Sequence, residues 1–120
     1  MPATRVLVVD DDELQRDVLA DVLASEGYAV RVAATGAEAL ASARAAPPDV
    51  LVLDLLLPDM DGASVLASLR QEPALRALRV VIATGLRSPS VKRLLGADAA
   101  LFKPFALREL LTAIAARREA

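Results

Sequence analysis

The stretch Val50-Leu51-Val52-Leu53-Asp54 decides the fold of this 120-residue chain, because four consecutive apolar residues end on a carboxylate. A strand that is apolar at every position is buried on both faces, as in a parallel sheet covered by helices. A lone carboxylate at the end of such a strand is costly to bury without partners. We therefore expect Asp54 to lie at an edge of the sheet that a ligand can reach.

Three other stretches also end an apolar run on a polar residue. The carboxyl ends of parallel strands lie side by side, and open α/β sheets bind ligands at that edge. The polar residues should therefore converge, although most of the chain separates them. The three stretches are Val6 to Asp11, Val80 to Thr84 and Leu101 to Lys103, so the converging set is Asp10, Asp11, Asp54, Thr84 and Lys103.

Hydrophobic periodicity predicts strands that alternate with helices in the order (βα)5. Short connections between them imply a parallel sheet with right-handed crossovers and helices on both faces. The chain length predicts one domain, residues 1–120. The predicted strands are 5–9 (β1), 28–33 (β2), 50–53 (β3), 79–83 (β4) and 100–103 (β5). The predicted helices are 13–26 (α1), 37–46 (α2), 63–70 (α3), 89–95 (α4) and 106–117 (α5).

The composition argues against several classes of function. Without cysteine or histidine the chain has no disulfide, thiolate metal site, imidazole base or phosphohistidine of its own. A net charge of −2, with no basic cluster beyond Arg117 and Arg118, argues against direct nucleic-acid binding. The longest apolar run, 50–57, contains Asp54 and is far shorter than the ~20 residues that span a bilayer. We therefore expect a soluble cytoplasmic protein with no membrane partner.

Three carboxylates at one edge of a sheet repel one another, so their coexistence calls for a cation. Mg²⁺ takes oxygen ligands in an octahedron at about 2.0–2.1 Å and usually keeps several waters. Lys103 adds a cation on a long stem that can bridge a carboxylate and a phosphoryl oxygen. Thr84 supplies a hydroxyl that can donate to a phosphoryl oxygen. The residues therefore predict an acidic magnesium and phosphate site.

Four motifs in order, VLVVDDDE, VLVLDLLLPDMDG, VVIATG and GADAALFKPF, resemble the receiver domain of two-component response regulators. The resemblance covers essentially the whole chain. It implies a flavodoxin-like, doubly wound, five-stranded parallel sheet in the order 2-1-3-4-5, with a shortened α4. It also implies Mg²⁺-dependent phosphoryl transfer from a histidine kinase or phosphotransfer protein, and no other enzyme activity. The α4–β5–α5 surface would then switch and act on an unknown downstream protein or a fused effector.

The resemblance also implies a role for each acidic residue of the set. Asp54 would be the phosphoacceptor and would form an acyl phosphate. Asp11 would bind Mg²⁺ directly, together with Asp54, and Asp10 would bind it through a water. The backbone carbonyl of Leu56 would be the remaining protein ligand.

Thr84 and Lys103 would contact the phosphoryl group, and the Lys103–Pro104 peptide bond would be cis, as in about 5–6% of X-Pro bonds. Leu56 and Leu86 lie two residues after the phosphoacceptor and the threonine. Two apolar side chains at these positions would exclude water. They therefore predict slow hydrolysis of the acyl phosphate.

Two features depart from the family. The position three before Lys103 is usually aromatic but is Ala100 here, so the usual aromatic–threonine coupling cannot operate. The segment between Thr84 and Lys103 is also ~3 residues shorter than expected, close to one helical turn. Gly85 would loosen the same segment further. We therefore expect switching by ordering of a short α4, which Pro89 would begin.

Two alternatives stay open. A pseudo-receiver, which binds a partner without control by phosphorylation, is favoured by Ala100 and the short α4 and opposed by the intact acidic site. A Mg²⁺-dependent phosphohydrolase of the haloacid-dehalogenase type is favoured by Asp10 and Asp12 after a strand. It is opposed by the absence of the usual Gly-Thr and of an acidic pair after Lys103. No effector sequence follows Arg118, so we expect either a stand-alone regulator or the receiver of a longer protein.

Other polar residues near the site have structural explanations. Asp12 and Gln15 fit a capping box at the start of α1. Asp59 and Asp61 are expected to serve the turn before Gly62. Helix α1 itself carries two apolar stripes, one of Leu14, Val18 and Val22 and one of Leu19 and Leu23.

Overall fold

The computed structural model describes residues 3–86 and 96–116. Five parallel strands form one sheet in the predicted order β2-β1-β3-β4-β5. The predicted α4, 89–95, lies outside the described residues. The strands are Arg5–Val9, Ala29–Ala33, Val50–Leu53, Arg79–Thr84 and Ala99–Phe102; the helices are Glu13–Ser25 (α1), Gly36–Ala45 (α2), Gly62–Arg70 (α3) and Leu107–Ala115 (α5), with a 3-10 turn at Pro73–Leu75.

Helices cover both faces of the sheet, so the doubly wound α/β architecture is confirmed. Buried residues of α2 and α3 pack on one face, and buried residues of α1 and α5 pack on the other. All four residues of β3 are at most 2% exposed, as the continuous apolar run predicts. Across the described ranges, no helix has the length and apolar character that crossing a membrane requires.

Helix α1 uses one of its two apolar stripes for the core. Leu19 and Leu23 are at most 2% exposed, whereas Leu14 is 75% exposed and Val18 43% exposed. A helix on one face of a sheet buries a single stripe. The stripe of Leu19 and Leu23 therefore holds α1 on the sheet, and the start of the other stripe faces solvent.

Polar side chains fix where three helices begin. Asp12, Thr35 and Asp61 each accept a hydrogen bond from the backbone N–H three residues later. Such a cap is worth about 1 kcal/mol, because it satisfies a donor that the helix itself cannot. Asp12 is therefore a helix cap, as predicted, and Asp61 caps α3. The N–H of Asp12 donates to Asp10 Oδ1 instead of the Gln15 side chain, so the second half of the predicted capping box is not formed.

Gly62 begins α3 where the helix passes closest to β3. Its N–H donates to the carbonyl of Leu55 at 2.8 Å. A Cβ built on Gly62 would lie 2.7 Å from the carbonyl oxygen of Asp54 and 2.7 Å from the Cα of Leu55. Backbone atoms cannot rotate away, so this close approach requires glycine.

Replacing Gly62 by alanine should lower the free energy of unfolding by about 1–3 kcal/mol, because the added methyl group overlaps the backbone. Gly85→Ala is the control, since nothing lies within 4 Å of a Cβ at that position. It should change stability by less than about 1 kcal/mol. Urea unfolding measures both, and equal stability of the two variants would contradict the close-approach argument.

Candidate functional site

Three predicted acidic residues converge at the carboxyl edge of the sheet. Asp10 follows β1 and donates its backbone N–H to the carbonyl of Ala33 at 3.1 Å; Asp54 follows β3 and donates to the carbonyl of Val9 at 3.0 Å. These bonds extend the sheet by one residue and fix where each side chain begins. Carboxylate oxygens of Asp10, Asp11 and Asp54 all lie within 4.8 Å of one another.

Lys103 joins the two buried carboxylates. Asp10 is 3% exposed and Asp54 6%, and two buried like charges repel each other strongly. The Nζ of Lys103 donates to Asp10 Oδ2 at 2.8 Å and to Asp54 Oδ2 at 3.0 Å. The other oxygens accept backbone N–H groups, Asp10 Oδ1 from Asp12 at 2.9 Å and Asp54 Oδ1 from Leu56 at 3.0 Å. Every oxygen of the two carboxylates therefore has a donor.

Asp11 and Leu56 lie at the rim of this cluster. Asp11 is exposed although its carboxylate lies beside the two buried ones. Leu56 is 57% exposed, while its backbone N–H holds Asp54. The structure therefore brings one exposed and two buried carboxylates to one point, next to a loop whose backbone contacts Asp54.

Thr84 is fully buried and is the last residue of β4, one residue beyond the predicted end of that strand. Its hydroxyl accepts the backbone N–H of Leu86 at 3.1 Å, and its carbonyl accepts the N–H of Lys103 at 2.8 Å. The hydroxyl proton is then free to point to another acceptor. The Lys103–Pro104 peptide bond is cis, as the resemblance implied.

The aromatic ring on this face of β5 lies at residue 102 instead of residue 100. Ala100 packs against the core cluster that α2 and α3 cover. Phe102 lies two residues further on the same face of the strand and pairs in register with Thr84. The sequence therefore lacks an aromatic at the usual position but places one directly beside the threonine.

Arg16 is a neighbour of the site that the sequence analysis missed. Its Nη1 donates to the backbone carbonyl of Asp10 at 3.0 Å. The arginine lies four residues after Asp12, one helical turn from the cap of α1, so its side chain can reach back to the end of β1. The four-residue spacing between Asp12 and Arg16 is the sequence feature that could have predicted this contact.

The neighbouring carboxylates change the acidity of Lys103. Burial disfavours the charged ammonium and acts to lower the pKa of Lys103. The hydrogen bonds to Asp10 and Asp54 and their negative charges outweigh burial, so the pKa of Lys103 lies above its ordinary value of 10.5. Lys103 therefore stays protonated at neutral pH and balances part of the acidic charge.

The donor set fits Mg²⁺. All the converging ligand atoms are oxygens, which this hard cation prefers. One ammonium against three carboxylates leaves an excess of negative charge that a divalent ion would balance. The residues present therefore suit magnesium.

Replacing Lys103 by methionine should lower the free energy of unfolding in EDTA at pH 8 by about 1–3 kcal/mol. This is less than the ~3–5 kcal/mol of a fully buried pair, because the Lys103 side chain is 25% exposed. Since the pKa is raised in the folded state, the stabilisation is complete below pH 10.5 and is lost as the pH rises through the folded-state pKa. The advantage of the wild type should therefore shrink above pH 10.5, whereas parallel pH profiles would contradict the ion-pair assignment.

Comparison with known proteins identifies the class that this fold and site define. The family model of the response regulator receiver domain matches residues 6–115. The chain belongs to this family, and it is a receiver domain of the two-component type.

Relatives and solved structures agree with this assignment. Response regulator MprA of Mycobacterium avium is 44% identical over 108 residues, covering 89% of this chain and 47% of the relative. The probable transcriptional regulatory protein TcrX of Mycobacterium tuberculosis is 37% identical and covers 88% and 46%. The chain thus spans about half the length of these curated relatives. Chemotaxis protein CheY4 of Vibrio cholerae superposes with a TM-score of 0.89 at 31% identity, over 97% of this chain and 99% of that one.

Proposed function

We propose that Asp54 accepts a phosphoryl group from a phosphohistidine of a histidine kinase or phosphotransfer protein, with Mg²⁺ as cofactor. The observation that carries the proposal is the Asp54 carboxylate itself. Backbone and ammonium donors fix it at the end of β3, within 4.8 Å of two other carboxylates. Membership of the receiver family supports the same function.

In the proposed step a carboxylate oxygen of Asp54 attacks phosphorus while the phosphorus–nitrogen bond of the donor breaks. The electron pair of that bond stays on the imidazole nitrogen, and the new mixed anhydride holds the phosphoryl group on the protein. The Lys103 ammonium, already within 3.0 Å of Asp54, can then donate to a phosphoryl oxygen. The Thr84 hydroxyl can donate its proton to another.

The groups that would hold Mg²⁺ are Asp11, Asp54, the Leu56 carbonyl and, through a water, Asp10. When bound, the ion would neutralise charge on the phosphoryl oxygens and orient them. Asp10 keeps its own position through Lys103 and the N–H of Asp12. Asp10 can therefore stay far enough from the ion to bind it through a water.

Phosphorylation would add a charge of about −1.5 to −2 beside Lys103 and Thr84. Donation from both residues to the new oxygens would bias an existing equilibrium of the α4–β5–α5 surface. The output would pass to a downstream protein or a fused effector in the cytoplasm.

Ala100 keeps the pseudo-receiver as a second candidate, because a chain without the usual aromatic could bind partners without phosphorylation.

Treatment with acetyl phosphate and Mg²⁺ should place one phosphoryl group on Asp54, because its fixed carboxylate is the proposed nucleophile. Intact-mass and peptide mass spectrometry measure this, and Asp54→Asn should take up none. Asp61→Asn is the matched control, since it alters a carboxylate seven residues away that caps α3. Label on Asp10 would support a phosphohydrolase, and no label on the wild type would support a pseudo-receiver.

The acyl phosphate should decay slowly, because exposed apolar side chains flank the site. Leu56 is 57% exposed and Leu86 46%, so each presents a hydrocarbon surface to approaching water. Leu86→Glu should speed the loss of phosphate by about a hundredfold, because its carboxylate is a positioned proton acceptor for the attacking water. Leu56→Asn should speed it less, because an amide can hold the water only by a hydrogen bond. Leu14→Asn, on α1, is the exposed control. Unchanged decay in both site variants would refute the shielding argument.

A further inference from the structure

The loop between β3 and α3, residues 54–61, is closed at its base. The N–H of Gly62 donates to the carbonyl of Leu55, and Leu56 forms an isolated antiparallel bridge with Asp61. Between these closures the loop has no helix or strand of its own. The conformation of the loop therefore depends on its two ends and on the contacts of its tip, residues 59 and 60.

Asp59 ties the tip of this loop to the start of α2. Its Oδ1 accepts the N–H of Gly36 at 2.8 Å and its Oδ2 accepts the N–H of Ala37 at 2.9 Å, across 23 and 22 positions of sequence. The first N–H groups of a helix have no partner within it, and the positive end of the helix dipole favours an anion. Thr35 accepts the next N–H, that of Glu38, at 3.1 Å. Asp59 and Thr35 together thus accept the first three backbone N–H groups of α2.

The contacts of Asp59 change its acidity and add a second role to the one that the sequence predicts. The hydrogen bonds from Gly36 and then Ala37 hold the pKa of Asp59 below its ordinary value of 3.8. The sequence predicts that Asp59 serves its own turn before Gly62. Asp59 also satisfies the backbone of a distant helix, while weaker backbone hydrogen bonds from Asp59 and Met60 act within the local turn, and Asp61 caps α3.

Met60 strengthens the same junction from the neighbouring position. Gly36 is buried, and a Cβ at that residue would collide with Cγ of Met60 and lie 2.8 Å from its Sδ. The absence of a side chain at residue 36 therefore lets the Met60 side chain lie directly on the start of α2. Two adjacent loop residues, one polar and one apolar, dock on one helical turn.

We propose that Asp59 is a positioning residue for the metal site and acts through the backbone of Leu56. Leu56 lies three residues before Asp59 in the closed loop, and its N–H holds Asp54 Oδ1 at 3.0 Å. Its carbonyl is the proposed ligand of Mg²⁺, so this inference rests on the proposed function. Without the tie to α2 the loop tip is released, and the Leu56 backbone loses its fixed orientation toward the carboxylates.

The test must separate this role from a merely structural one, and Thr35 provides the control. Asp59→Ala and Thr35→Ala each remove a cap from the same turn of α2, so both should lower the melting temperature in EDTA. Thr35 makes no cap bond to the loop. Only Asp59→Ala should weaken Mg²⁺ binding, by about tenfold, the lower range for a residue that orients a metal ligand. Asp59→Asn, which keeps one acceptor oxygen, should fall between.

Isothermal titration of each full chain with Mg²⁺ measures the dissociation constants, and amide exchange in EDTA adds a readout without metal. The Leu56 amide should exchange faster in Asp59→Ala than in Thr35→Ala. Wild-type affinity in Asp59→Ala, or equal weakening in both alanine variants, would overturn the positioning role. Failure of the wild type to bind Mg²⁺ would instead overturn the proposed function on which the inference rests.

Discussion

The site depends on the ammonium of Lys103 held between two buried carboxylates. Asp10 lies 93 positions from Lys103 and Asp54 lies 49, so only a sheet with these strand ends at one edge lets the three groups meet. Without the cation, Asp10 and Asp54 would be like charges in a region of low dielectric constant, which costs several kcal/mol per ion. The strand order that brings these three groups together is therefore also what balances the charge of the two buried carboxylates.

Backbone N–H groups orient the other side-chain oxygens around this ion pair. The N–H groups of Asp12 and Leu56 hold the oxygens that Lys103 leaves over, and the N–H of Leu86 holds the Thr84 hydroxyl. Each donor lies two residues after the side chain that it holds. The loops that follow the strands thus orient the functional groups, so a change of loop position becomes a change of site geometry. This coupling is what a switch needs, because a new charge at Asp54 would act directly on the loop backbone.

Much of this arrangement could be predicted from sequence, since the signals were local. The apolar run of β3 predicts a doubly buried strand, and Asp12 before a helical pattern predicts a cap. Periodicity could not decide which stripe of α1 faces the core, because Leu14 and Leu19 belong to stripes that lie side by side and are equally apolar.

Contacts that join distant segments through side chain and backbone left no local signal. The capture of α2 by Asp59 satisfies backbone N–H groups that every residue except proline possesses. Residue types therefore do not reveal the partner. The short 3-10 turn at Pro73–Leu75 was missed for a related reason, since three residues carry too little periodicity to detect.

Calorimetric titration of the wild type and Lys103→Met with Mg²⁺ at pH 8 tests most directly whether Lys103 supplies the counter-charge of the acidic cluster. If the ammonium and the metal share the same carboxylate oxygens, both chains bind one ion and the variant binds it more tightly. Unchanged or weaker binding in Lys103→Met would contradict the account.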